Sequence, residues 1–172
     1  MRAWSMTAAS GRSGQIGRVD KSFLVRIEAM ESLAYLGDES ALPAIANLLS
    51  YKNPLVRAYA ARSIAALRGG RAYAQRLKNM LSLEKQESAR AGLLEALFLL
   101  GEHETFTSLL GLLSSTDYRV RCAIANTLAE IPLDKNQRKA ATLALMQAEQ
   151  HAIAVADKTT VASTLKDLGK RD

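Results

Sequence analysis

Groups able to do covalent or metal chemistry are scarce in this chain of 172 residues, which holds two histidines and one cysteine. His103 falls in the segment GEHETF and His151 in EQHAIA. Neither has a second histidine one helical turn away or a cysteine close by, the spacing that a metal pair on a helix needs. Cys122 follows Arg121 directly, and a positive charge beside a thiol favours the reactive thiolate. A small, half-packed helix residue is the simpler reading of it, and a single cysteine builds no disulfide framework. The glycine-rich string GRSG at 11–14 lacks the Lys-Ser/Thr pair of a phosphate-cradling loop. These residues predict a protein that is not an enzyme and that carries neither cofactor nor metal.

Binding chemistry is better represented. The formal charge of +6 divides as +3 over residues 1–21, −3 over 22–50, +7 over 51–80, −4 over 81–117 and +3 over 118–172. Segment 51–80 contains no acid; Lys52, Arg57, Arg62, Arg68, Arg71, Arg76 and Lys78 are interleaved there with Tyr51, Tyr59 and Tyr73. Unbalanced positive charge attracts anionic partners, and arginine and tyrosine are the types enriched at binding hot spots.

The elements that position these groups follow from a repeated phrase: FLVRIEAMESLAYLG from Phe23, PLVRAYAARSIAALR from Pro54, ESARAGLLEALFLLG from Glu87 and YRVRCAIANTLAEIP from Tyr118. Its arginines, Arg26, Arg57, Arg90 and Arg121, are 31, 33 and 31 residues apart. Apolar residues recur three, four, seven and ten positions after each arginine, as in Leu93, Leu94, Leu97 and Leu100. That spacing is one face of an α-helix. A weaker fifth copy puts Lys158 in the arginine position, and its lysines suit a polar terminal cap. Between the copies lie second apolar segments with helical spacing, at 41–50, 72–83, 105–114 and 138–148. Gly37, Gly69, Gly70, Gly101 and Pro132 stop the arginine helices, while Asn53 and Asp117 stand at N-cap distance before two of them.

The expected fold is therefore all-α, an α–α superhelix of about four and a half helical hairpins over residues 22–172. A hydrophobic content of 48% with only 5% aromatics, dominated by alanine and leucine, agrees with that class. Residues 1–21 are small, polar and basic, and read as a flexible arm. There is no run of about 18 apolar residues and no secretory apolar core at the N-terminus, so a cytoplasmic location with no membrane contact is expected.

The string ALPAIANLLSYKNPLVRAYAARSIAALRG resembles a HEAT repeat of the short bacterial type shared with phycobilisome lyase-like proteins: a first helix with proline near its start, a turn, then a Val-Arg helix with paired alanines. The resemblance extends over residues 22–169. It implies that the second helices line a concave surface and that the arginine of each bonds an acidic turn residue to tie repeats together. Arg57, Arg90 and Arg121 would form that ladder, and the turns before them offer Asn53, Glu84 and Asp117. HEAT-like di-iron hydroxylases use several His-Glu pairs, whereas this chain has one such dipeptide, His103-Glu104. HEAT-like DNA glycosylases use aromatic cleft residues, but the only tryptophan here is Trp4. A phycobilin lyase-like activity is implied by the resemblance alone.

Five residues past the register arginines stand Glu31, Arg62, Glu95 and Asn126. Stacked helices would bring them into one row, which reads equally as inter-repeat ion pairing and as a binding surface. The leading expectation is a protein-binding module, such as an adaptor, an assembly chaperone or an immunity-type binder, that holds an acidic partner surface. Tyr35, Tyr59 and Arg62 would anchor the partner, Glu31, Glu95 and Asn126 would set register, and Arg76 and Lys78 would add charge. Nucleic-acid binding through segment 51–80 and the basic arm is the alternative.

Overall fold

The computed structural model describes residues 23–170, and every regular element among them is helical. The helices are α1 (Phe23–Tyr35), α2 (Leu42–Leu48), α3 (Pro54–Ala66), α4 (Ala74–Leu83), α5 (Glu87–Leu99), α6 (Phe106–Gly111), α7 (Tyr118–Glu130), α8 (Lys135–His151) and α9 (Val155–Gly169). Short 3-10 turns at Glu39–Ala41, Arg68–Tyr73 and His103–Thr105 lead into α2, α4 and α6. A fourth, Leu112–Ser114, follows α6. The arm expected over 1–21 lies outside the described residues. The chain forms two compact units that divide between His103 and Glu104.

In the N-terminal unit the arginine helices form one layer, with α1 packed on α3 and α3 on α5; α2 packs on α3 and α4 on α5 from the other layer. The expected apolar offsets fill the core: Ala60, Ala61, Ile64, Leu93 and Leu97 are sealed from solvent, together with Leu77 of α4 and Leu49 just past α2. Burying each such leucine contributes about 1.5–3 kcal/mol. Contact between α3 and α5 depends on small residues, because a Cβ on Gly92 would lie 2.5 Å from the Ala58 Cα. Both α1 and α5 end in a left-handed glycine, Gly37 at φ +67° and Gly101 at φ +92°. Each glycine N–H, and the N–H after it, donates back into the last turn, satisfying carbonyls that the helix end leaves free.

In the C-terminal unit α7 and α8 pack on α9, and the Leu112–Ser114 turn packs on α7 and α8. Ile124, Leu128, Leu145 and Val161 form its interior. The Thr164 hydroxyl donates to the Ala125 carbonyl at 3.2 Å, fastening α9 to α7.

Three local expectations need correction. Leu36, the tenth-offset residue of the first copy, is exposed although Leu67, Leu100 and Ile131, each likewise one residue past its helix, are buried; α1 is the first arginine helix and has one such neighbour, α3. The segment 105–114 is not one helix, since the α-helix gives way to a 3-10 turn at Leu112. The last first-helix is longer than its segment 138–148, because Asp134 and Gln137 close a capping box that starts the helix at Lys135.

Candidate protein-binding face

Each register arginine is the fourth residue of its helix. In three of them Nη1 donates to the carbonyl six residues earlier: Arg57 to Tyr51 at 2.7 Å, Arg90 to Glu84 at 3.2 Å and Arg121 to Ser115 at 2.5 Å. Those carbonyls end the preceding first helix or its turn, so the arginine caps its own hairpin. In Arg57 and Arg121 the rest of the guanidinium reaches an acid further along the chain, whereas Arg90 adds only the Leu81 carbonyl at 3.3 Å. Arg57 pairs with both oxygens of Glu84, at 2.7 and 3.0 Å. The resemblance implied an acid in the turn of each repeat; here Glu84 lies in the turn after Arg57, while Asn53 caps α3 by accepting from the Leu55 N–H. In the C-terminal unit Arg121 donates to Oδ2 of Asp157, with Nε at 2.9 Å. That hydrogen bond raises the Arg121 pKa against the opposing effect of burial. Asp157 is fully buried, and its Oδ1 accepts no hydrogen bond. Arg26 is also buried, with its guanidinium 5.0 Å from the centre of the Tyr51 ring.

The face read from sequence is built on α1, α3 and α5. Arg62 of α3 reaches Glu95 of α5 at 2.9 Å, where the arginine side chain is 35% exposed and the glutamate 7%. The same guanidinium lies 5.3 Å from the Tyr59 ring centre, so Arg62 is held from two sides. Tyr35, at the end of α1, is 92% exposed. With Leu36, Glu31 and Ser32 it lines an open hollow of about 440 Å³. Leu36 is the member of this site that the apolar spacing assigns to the core; it is 59% exposed.

Other predicted site residues are engaged within the fold. Arg76 donates to the Ala46 carbonyl at 2.9 Å, near the end of α2. Lys78 meets Glu102 at 2.5 Å, and Arg71 lies 3.7 Å from the same carboxylate. Among the described residues, Lys52 and Arg68 are the cations of segment 51–80 whose side chains make neither ion pair nor hydrogen bond. Asn126 is exposed on α7, in the C-terminal unit.

The residues with catalytic potential stay apart. His103 packs edge-on against Phe98 at 5.1 Å, and Cys122 is a half-buried free thiol. His151 lines a separate hollow with Arg121 and Gln147. No group of three His, Cys, Asp or Glu among the described residues is placed to share one metal ion. No described helix is long and apolar enough to cross a membrane.

Residues 15–98 match the family model of HEAT repeats, a repeat that serves generally as a scaffold for protein interactions. The match does not extend to the phycobilisome lyase-like subtype. No curated protein matches the chain. With paired helices in register and this match, residues 15–98 are identified as HEAT-repeat sequence.

Proposed function

We propose that the chain is a non-enzymatic protein-binding module whose N-terminal unit grips an acidic partner surface on the α1–α3–α5 layer. The observation that carries this reading is the exposure of Tyr35 and Leu36, 92% and 59%, around one hollow on the layer that also presents Arg62. Large apolar side chains left in water beside a concavity are what a partner would cover. Glu95 and Tyr59 hold Arg62 in one orientation, so less side-chain entropy is lost when a carboxylate docks on it. Arg76 and Lys78 would contribute from the edge of α4, and Asn126 as an exposed contact of the C-terminal unit. The single cysteine suits a module that acts in the cytoplasm.

Photo-crosslinking residues placed singly at positions 35, 59 and 75 in the full chain provide the test. Gln75 is exposed on α4, outside the proposed layer. The same protein should be captured from positions 35 and 59, with loss of capture in the Arg62→Glu background. Equal capture from position 75, or capture indifferent to Arg62→Glu, overturns the assignment of this face.

A further inference from the structure

We propose that the C-terminal unit carries a second docking site, at the start of α8, for a short acidic segment of a partner protein that bears an apolar side chain beside its carboxylates. This site does not depend on the N-terminal face. A hollow of about 600 Å³ is lined there by Lys135, Arg138, Lys139, Thr142 and Leu143 of α8 and by Leu168 of α9. Three of these carry positive charge, and no acid lines the space among the described residues.

Lys135 and Lys139 differ from the cations of segment 51–80, which the fold largely uses. Lys135 and Lys139 are exposed, one turn apart on the same face, where like charges repel and destabilise the helix slightly. Neither makes an ion pair or side-chain hydrogen bond among the described residues. Nearby acids have other work: the Asp134 carboxylate accepts the Gln137 N–H at 2.8 Å, and Asp167 pairs with Lys170 at 2.9 Å. The repulsion between Lys135 and Lys139 is relieved when an anion lies between or beside them.

Apolar lining selects among anionic occupants. Leu143 is 55% exposed, while Leu168 is almost fully buried and forms part of the floor. Burial of a leucine or phenylalanine side chain against this pair is favourable, and a phosphodiester backbone has nothing to place there. Among the described residues no aromatic ring lines the hollow on which a base could stack. The Thr142 hydroxyl is available to a peptide backbone. Carboxylates over the lysines with an apolar side chain over the leucines match the lining, which a nucleic acid or a lipid headgroup does only in part.

Short random peptides displayed on phage, selected against the full chain and counter-selected on Lys135→Glu/Lys139→Glu, test this. Enriched peptides should combine Asp or Glu with Leu, Ile or Phe. Labelled copies should bind the double variant about tenfold or more weakly. Leu143→Ser should also weaken binding, and Tyr35→Ala should leave it unchanged. Unaltered thermal unfolding by circular dichroism in each variant separates loss of the site from loss of the fold. Absence of acidic-apolar enrichment overturns the proposal, as does peptide binding indifferent to the double variant. Tighter binding of duplex DNA or anionic vesicles through the same lysines also overturns it.

Discussion

Glu84 gathers four donors into one turn. It receives Arg57 through both oxygens, and its Oε1 also accepts the N–H groups of Lys85 and Gln86. Burial pushes its pKa up; the Arg57 hydrogen bond, the backbone donors and the Arg57 charge outweigh that and hold it below its ordinary value of 4.5. A carboxyl depressed in the folded state contributes stability that is present above the unfolded value and lost as pH falls through the folded one. Urea unfolding should therefore show Glu84→Gln less stable than the parent by roughly 1–3 kcal/mol near neutral pH. The gap should narrow as pH falls below 4.5, because protonation removes the same charge from the parent. A gap that persists undiminished in acid would mean that shape, not charge, makes the contact. The sequence offered Glu84 as a ladder acid, yet the arginine it serves is not its nearest one: it binds Arg57, 27 residues back, and offers Arg90 only its carbonyl.

Helix order and the buried face were legible at the level of elements, because a three-four-seven-ten spacing repeated behind four arginines admits one periodicity. Asn53, Asp117, Gly37 and Gly101 were legible for the same kind of reason, since each satisfies a helix end locally. Places where distant packing decides were not. Leu36 fits the apolar pattern, but α1 has an arginine-helix neighbour, α3, on one side only, whereas Leu100, with the same helix end and glycine, is buried; the 3-10 turns before α2, α4 and α6 leave little periodic signal. The close approach of α3 and α5 was likewise invisible, as Gly92 reads in sequence as a weak helix residue. Two glycine-to-alanine substitutions separate propensity from packing. Gly92→Ala places a Cβ 2.5 Å from the Ala58 Cα, and the resulting overpacking should cost about 1–3 kcal/mol. Gly111, also in helical geometry, has nothing within 4 Å of its would-be Cβ, so Gly111→Ala should stabilise by about 0.4–1 kcal/mol. Thermal unfolding of the two variants should therefore shift in opposite directions. Stabilisation by Gly92→Ala would contradict close packing of the two helices.

Charge over the whole molecule looks different once the helices are folded. Segment 51–80 carries +7, but its neighbours carry −3 and −4, so residues 22–117 sum to zero and the net +6 resides in 1–21 and 118–172. Within the N-terminal unit the cancellation is physical: Glu84 takes Arg57, Glu95 takes Arg62, and Glu102 takes Lys78 with Arg71 close by. A window along the chain separates these partners by 24 to 33 residues, whereas stacked helices put them in contact, so the basic stretch in sequence is a poor map of the basic surface. This weighs against a nucleic-acid track on the second repeat and makes a quantitative forecast. Each phosphate neutralised by a cation changes the slope of log affinity against log salt by about 0.9 on duplex DNA. In titrations of the full chain with duplex DNA across a salt series, Arg71→Ser/Lys78→Ser should leave the slope unchanged and the affinity within about twofold. A slope lower by one or two such steps would mean that these cations leave Glu102 for phosphate, and that the second repeat faces nucleic acid after all.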